Sequence, residues 1–320
     1  MIRVPFGDLA WQVVVGFIVA LLAGELLLWL LARLAMRQTA YEDAPDSHQR
    51  KSGTPTMGGL AILCAVAFSG LFVRDERVGA LMVLVFGCGL IGFVDDYIGI
   101  RMRANAGLRA RTKFLATALV AVIFLRMIVP NDTLVHAGTF ALFVPYWAWL
   151  LLGILAITGC VHAVNLTDGL DGLAAGAVLP PFYVLWAIAI ASGMRADEWP
   201  AVLAFAIGGA LGFLVYNRHP ARMFMGDTGS LSLGALLAGA AILDGEMLLL
   251  VVIGGLFVVE TLSVALQVAY FRFSGGRRIF LMSPLHHHFE LAGWPERAVT
   301  LWFWLASLVC SVVGWVIASL

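Results

Sequence analysis

Hydrophobic residues in this chain run in long unbroken stretches, and the polar residues gather in short clusters between them. Stretches near 20 apolar residues fit helices that cross a bilayer, whereas the strands of a membrane barrel would alternate over about 10. The pattern predicts ten spans, at about 9–35, 57–73, 78–95, 113–130, 146–165, 172–192, 200–216, 229–243, 246–271 and 298–319. Pro200 suits the first turn of the seventh, and Pro180-Pro181 should kink the sixth. The first run is too long for a signal-peptide core and no cleavage site follows it, so it reads as a retained span. The expected fold is an all-α polytopic membrane protein, one integral-membrane domain over 1–320 with active-site loops at one face. An even number of spans puts both termini on the same side.

Composition narrows the class. Of 320 residues, 61% are hydrophobic and only 12% are charged, against about half and about a quarter in a soluble domain. A net charge of +0 gives no support to nucleic-acid binding. Cys64, Cys88, Cys160 and Cys310 all fall inside apolar runs without a CxxC pair, so they read as small buried hydrophobes.

Charge placement sets the orientation. Loops after odd-numbered spans hold fifteen of the 20 basic residues: Arg33, Arg37, Arg50, Lys51, Arg101, Arg103, Arg109, Arg111, Lys113, Arg218, Arg222, Arg272, Arg277, Arg278 and Arg297. The other five are Arg3, Arg74, Arg77, Arg126 and Arg195. Basic loops stay cytoplasmic, which puts both termini outside and every polar cluster inside. No repeat, linker or soluble domain is visible, and Met36 to Thr56 reads as an ordered loop or short helix.

Four clusters carry the chemistry. Asp95-Asp96 closes the third span, where two adjacent acids repel and the helix dipole disfavours them, so a cation ligand or proton acceptor explains them better than capping. Asn165-Leu166-Thr167-Asp168-Gly169-Leu170-Asp171 joins two spans. Asp168 could merely cap a helix, but that leaves Asp171 and the glycines, which admit a ligand close to backbone, unexplained. Asp168 and Asp171 would share a face if the next helix starts there. Met225-Gly226-Asp227-Thr228-Gly229-Ser230 opens another span. Its amides favour phosphate and Asp227 can hold Mg²⁺, against the plainer reading of an N-cap. Asn217 and Phe224 suit an amide and an aromatic shelf for a nucleobase.

His286-His287-His288 points its rings about 100° apart on a helix, which argues for phosphate contacts or acid–base duty over zinc. Lys51 and Lys113 are the two lysines in an arginine-rich set, which suits places needing a compact charge. Gly87-Cys88-Gly89-Leu90-Ile91-Gly92 matches a dinucleotide fingerprint but lies inside a span, where small residues allow close helix packing.

These motifs resemble the polyprenyl-phosphate N-acetylhexosamine-1-phosphate transferase superfamily, most closely its phospho-N-acetylmuramoyl-pentapeptide transferase branch. The matching residues are Ser47-His48, Lys51, Gly53-Thr54-Pro55-Thr56-Met57-Gly58-Gly59, Asp95-Asp96, Asn165 through Leu173, Asn217, Phe224 through Ser230 and Ser283 through Glu290. The resemblance runs from about residue 36 to 300. The aspartates are shared across the superfamily, whereas the 53–59 run and the triple histidine mark this branch. One position departs: where relatives commonly carry a lysine, this chain has Gly99, and Arg101 or Arg103 is left to supply the charge.

The resemblance implies transfer of phospho-MurNAc-pentapeptide from UDP-MurNAc-pentapeptide to undecaprenyl phosphate, giving lipid I and UMP. It implies a multi-pass protein of the bacterial cytoplasmic membrane with Mg²⁺ on Asp227 and with Asp95, Asp96, Asp227 and His286 as catalytic residues. Substrate contacts are expected from Lys51, Thr56, Lys113, Asn165, Asp168, Gly169, Leu170, Asp171, Asn217, Phe224, Gln267, His287 and His288. Partners are the two substrates and membrane lipid, with room for a homodimer. Two other readings compete. A sister enzyme would use UDP-GlcNAc, and a secondary transporter would show internal repeats and a mid-membrane site.

Overall fold

The computed structural model describes residues 6–33, 53–73, 75–102, 107–130, 133–138 and 140–320. Helices dominate: α1 (Phe6–Arg33), α2 (Gly59–Ser69), α3 (Glu76–Met102), α4 (Ala110–Met127), α5 (Tyr146–Thr167), α6 (Leu173–Ala177), α7 (Leu179–Ala191), α8 (Pro200–Asn217), α9 (Gly226–Leu243), α10 (Leu250–Ile253), α11 (Gly255–Phe273), α12 (Leu285–Leu291) and α13 (Glu296–Ser319). Among the described residues, eight helical stretches are long and apolar enough to cross a membrane. They are α1, α3, α5, α6 with α7, α8, α9, α11 and α13. The other two expected spans are α2, which is short, and α4, which carries Arg111, Lys113 and Arg126.

Prolines start helices here, where their missing N–H would be unpaired anyway. Pro145, Pro284 and Pro295 immediately precede α5, α12 and α13, and Pro200 opens α8. The expected kink at Pro180-Pro181 is instead a break: α6 ends at Ala177 and both prolines fall in the first turn of α7. The ninth span is likewise divided, at Gly254.

One element went unanticipated. Leu134–Ala137 and Phe140–Phe143 form an antiparallel hairpin, β1 and β2, with Leu134 opposite Phe143. The segment between α4 and α5 is interrupted by Pro130, Gly138 and Pro145, residues that work against a continuous helix. Its backbone finds partners within the hairpin and in the turn after α9, where Gly245 O accepts from His136 N at 3.1 Å.

α8 and α9 are the most enclosed helices, while α1, α11 and α13 turn most of their side chains outward. Trp186, Trp199, Phe124, Phe205 and Phe213 are among the largest fully buried side chains. The glycines of the apparent dinucleotide fingerprint serve packing. A Cβ at Gly92 would lie 2.2 Å from the carbonyl oxygen of Asp227, and one at Gly89 would lie 2.6 Å from Ser232 Oγ. α3 and α9 therefore touch backbone to backbone, which brings Asp95-Asp96 to the start of α9. α9 has 18 residues, about 27 Å at 1.5 Å per residue, so its two ends lie close to a bilayer core apart. The C-terminal parts of α3, α5 and α8 and the N-terminal parts of α4 and α9 meet at one end, and the hairpin lies at the other.

Candidate active site

At that end Lys113 of α4 stands between two acids. Its Nζ lies 3.1 Å from Asp95 Oδ2 and donates a very short hydrogen bond to Asp227 Oδ2. All three side chains are mostly shielded, with exposures of 14–22%, so screening by water is weak and the charges act strongly on one another. Asn165, at the end of α5, donates through Nδ2 to Asp227 Oδ1 at 2.8 Å and to Ser230 Oγ at 2.9 Å. Asp95 Oδ1 also accepts from Leu108 N at 2.7 Å.

Asp96 does something different from its neighbour. Its carboxylate accepts from the backbone N–H groups of Asp227 and Thr228, both at 3.0 Å, and from Thr228 Oγ1 at 2.7 Å. It thus supplies the anion that a helix N-terminus favours, from a different helix. Gly226, at φ 73°, makes the turn, and a Cβ there would sit 2.5 Å from Asp96 Oδ2. Two expectations are corrected. α3 continues to Met102, so Asp95-Asp96 is not at a helix C-terminus. The first amides of α9, expected to face phosphate, already hold Asp96.

Asp168 and Asp171 part company. Asp168 ends α5 and the next helix starts only at Leu173, so the two do not share a helical face. Burial first, and then the carboxylates of Asp227, Asp96 and Asp171, hold the Asp168 carboxyl well above the usual range. Asp171 turns away. Its Oδ2 accepts from Ala221 N at 3.0 Å and lies 3.0 Å from His219 Nδ1, which is 3.1 Å from Glu296 Oε2. Among the described residues, Asp171, His219 and Glu296 are the one group whose ligand atoms all lie within 4.8 Å of one another. Hydrogen bonding explains that cluster. Asp95, Asp96, Asp168 and Asp227 do not form such a group, and Lys113 separates two of them.

The remaining predicted residues divide between the site and its frame. Asn217 accepts from Gly172 N and donates to Met223 O, both at 3.0 Å, tying the 165–171 turn to the 217–224 loop. Phe224 keeps a partly open ring while its backbone pairs with Pro55 and Gly58 at 2.8 Å. Thr56 is buried beside that pairing, and Met57 adopts φ 73°, uncommon for a side-chain-bearing residue. Lys51 lies outside the described residues, as do Ser47, His48 and Arg103. Arg101 donates to Tyr97 Oη at 2.9 Å on its own helix, apart from the acids.

Leu170 is buried and Gly169 packs on His286. The three histidines take different hydrogen-bonding partners, although the rings of His286 and His287 lie against each other with centroids 4.2 Å apart. His286 meets Glu260, His287 Nδ1 lies 3.2 Å from Glu290 Oε2, and His288 Nδ1 accepts from Leu281 N at 3.1 Å. Gln267 holds the 279–280 backbone at both ends of its amide. Glu260 was not among the predicted residues. Its signal was present in the sequence as a lone acid within an apolar run, a placement that usually marks function.

A bundle of apolar helices with a partly buried group of acids, one lysine and one amide at one end fits a membrane-embedded transferase. The Glycosyl transferase family 4 sequence model matches residues 78–244, which hold that group. The phospho-N-acetylmuramoyl-pentapeptide-transferase signature 1 matches residues 51–63. Curated proteins named phospho-N-acetylmuramoyl-pentapeptide-transferase are similar over nearly their whole length. That of Heliobacterium modesticaldum is 46% identical over 97% of this chain and 98% of its own. Those of Bacillus pumilus and Bacillus subtilis are each 42% identical over 95% of this chain and 96% of their own. The chain belongs to the phospho-N-acetylmuramoyl-pentapeptide-transferase family.

Proposed function

We propose that the protein transfers phospho-MurNAc-pentapeptide from UDP-MurNAc-pentapeptide to undecaprenyl phosphate, releasing UMP and leaving lipid I. The observation that carries this reading is the Lys113 ammonium held between Asp95 and Asp227 at one end of a lipid-spanning bundle, where a soluble and a lipid-borne phosphate can meet. The excess of basic residues in the loops at this end supports a cytoplasmic active site in the bacterial inner membrane. The relatives' name, phospho-N-acetylmuramoyl-pentapeptide-transferase, supports the same donor.

Mg²⁺ fits the residues. Asp95, Asp96, Asp168 and Asp227 outnumber Lys113, the one cation described among them. Carboxylate oxygens are the donors a hard dication takes, usually together with substrate phosphates. Asp227 and Asp168 would hold it, with Asn165 keeping the Asp227 carboxylate in place. When bound, Mg²⁺ supplies positive charge that neutralises the diphosphate.

The chain's own residues do the rest. Phosphoryl transfer depends mostly on positioning and charge. Lys113 offers its ammonium to a phosphate oxygen. The lipid phosphate is itself a nucleophile, so no enzyme nucleophile is required. With a second pKa of about 6 for comparable monoesters, it is mostly a dianion near neutrality, and Asp95 takes any residual proton. The oxyanion attacks the phosphorus joined to the sugar, the bond to the UMP oxygen breaks, and UMP leaves with the electron pair. Asp96 anchors α9 so that Asp227 stays aimed. The uridine rests on Phe224, beside Asp171, Asn217 and the Gly169-Leu170 backbone, which their protein bonds hold in place.

Purified protein supplied with undecaprenyl phosphate tests the reading. UDP-MurNAc-pentapeptide yields UMP and a lipid-linked product in equal amounts, whereas UDP-GlcNAc yields neither. Turnover of UDP-GlcNAc alone would assign the sister activity, and no UMP from either donor would leave a transporter as the better account.

A further inference from the structure

Glu260 is the only acid in α11, and the inward face of that helix is otherwise Leu256, Phe257, Ser263 and Gln267. An ionisable group inside an apolar span is costly to keep and usually has a named partner. Here the partner is His286, the first residue of the histidine run. Both side chains are fully buried. Glu260 Oε1 accepts from the backbone N–H of His286 at 3.2 Å, and Oε2 lies 3.2 Å from His286 Nδ1. Both carboxylate oxygens are thus used by one residue, and with Glu260 ionised the contact places a hydrogen on Nδ1.

The other ring nitrogen is left over. His286 Nε2 is buried and has no hydrogen-bond partner. Native interiors pair nearly all such atoms, and an exception calls for an explanation. Nε2 faces the turn that carries Asn165, Asp168 and Asp171: a Cβ on Gly169 would lie 2.2 Å from it. Only a glycine leaves room for the imidazole there. A carboxylate on one nitrogen, fixing which edge of the ring the other presents, is the usual way a histidine is oriented.

We infer that Glu260 is a positioning residue for the transfer: it fixes the tautomer and aim of His286, so that Nε2 presents its lone pair at the Gly169 turn and accepts a hydrogen bond from an N–H or O–H of the substrate. The assignment rests on the transferase reading above. Glu260 touches no substrate and acts only through the imidazole. Gly169 completes the arrangement, because a side chain at that position would run into this edge of the ring.

A double-mutant cycle tests it, with turnover of UDP-MurNAc-pentapeptide and undecaprenyl phosphate as the assay. Glu260→Gln keeps the shape but removes the charge and can reverse the tautomer. It lowers kcat about 10- to 100-fold, the usual cost of losing such an orienting group, with KM for the UDP-substrate changed by less than about twofold. Glu260→Asp, which keeps the charge, retains more activity than Glu260→Gln. In a His286→Gln background, Glu260→Gln costs nothing further, because the two residues act as one unit.

Were Glu260→Gln to lose its fold, judged by thermal unfolding in detergent, Gly169→Ala leaves α11 intact and pushes on Nε2, and its kcat should fall likewise. Undiminished kcat in a folded Glu260→Gln or Gly169→Ala protein overturns the assignment, as do losses that multiply in the double mutant. Wild-type protein without UMP release would sink the transferase reading instead, so the two failures are distinct.

Discussion

Asp227→Asn lowers transfer by at least about 10³-fold, the scale set by removing a group that neutralises charge in phosphoryl transfer, and the protein stays folded in detergent. Three roles end together. Lys113 loses one of the two charges it pairs with, Asn165 Nδ2 loses a carboxylate acceptor, and the cation loses a ligand. The fold survives because the first turn of α9 is held by the Asp96 carboxylate on the Asp227 and Thr228 amides, which this substitution leaves alone. UMP release over a range of Mg²⁺ concentrations, with an unfolding curve beside it, checks the prediction. Near-normal activity with the same Mg²⁺ dependence contradicts it.

Asp168→Asn separates activity from stability. Burial and the surrounding carboxylates raise the Asp168 carboxyl well above its ordinary value, so the folded chain holds a proton there that the unfolded chain releases. Below the ordinary carboxylate value of about 4 both states are protonated and nothing is lost. As pH rises through and beyond it, folding grows less favourable until the folded-state value is passed. The asparagine variant escapes that loss. It should unfold at a temperature higher by about 2 °C or more, the worth of roughly 1 kcal/mol in a chain of this size, and the gap should widen as pH is raised from about 4. Transfer falls at least about 10²-fold if Asp168 helps to hold the cation. A variant that is both less stable and fully active would contradict this account of the acid group.

Much of the architecture was legible because lipid leaves the chain little choice. Backbone groups in hydrocarbon must be paired within a helix, so apolar runs near 20 residues announce their structure whatever surrounds them. The site residues were legible one by one, as polar groups placed where such groups are expensive. Their pairings were not. Nothing local to Asp96 says that it caps a helix 131 positions later, and the apolar pattern before Asp95 gives no sign that the helix runs on to Met102. Asp168 and Asp171 sit three residues apart yet do not share a helical face, because the chain leaves α5 at Asp168 (φ −79°, ψ 53°) and turns through 168–172 before α6 begins.

The hairpin escaped notice because its two strands have only four residues each, below what alternation can distinguish from a loop. Glu260 could have been found. It shares one helical stripe with Leu256, Ser263 and Gln267, and a carboxylate in that stripe has to face another buried group.

Whether the lipid phosphate attacks the UDP-substrate directly is the sharpest question about this group of acids, because it separates carboxylates that position and neutralise from one that is itself phosphorylated. The deciding measurement is UMP release from UDP-MurNAc-pentapeptide by enzyme stripped of endogenous lipid, with Mg²⁺ present and undecaprenyl phosphate either withheld or added. Direct attack predicts no UMP until the acceptor is supplied, and then one UMP for each lipid-linked product. A burst of one UMP per enzyme without acceptor would contradict it and make an aspartate the nucleophile.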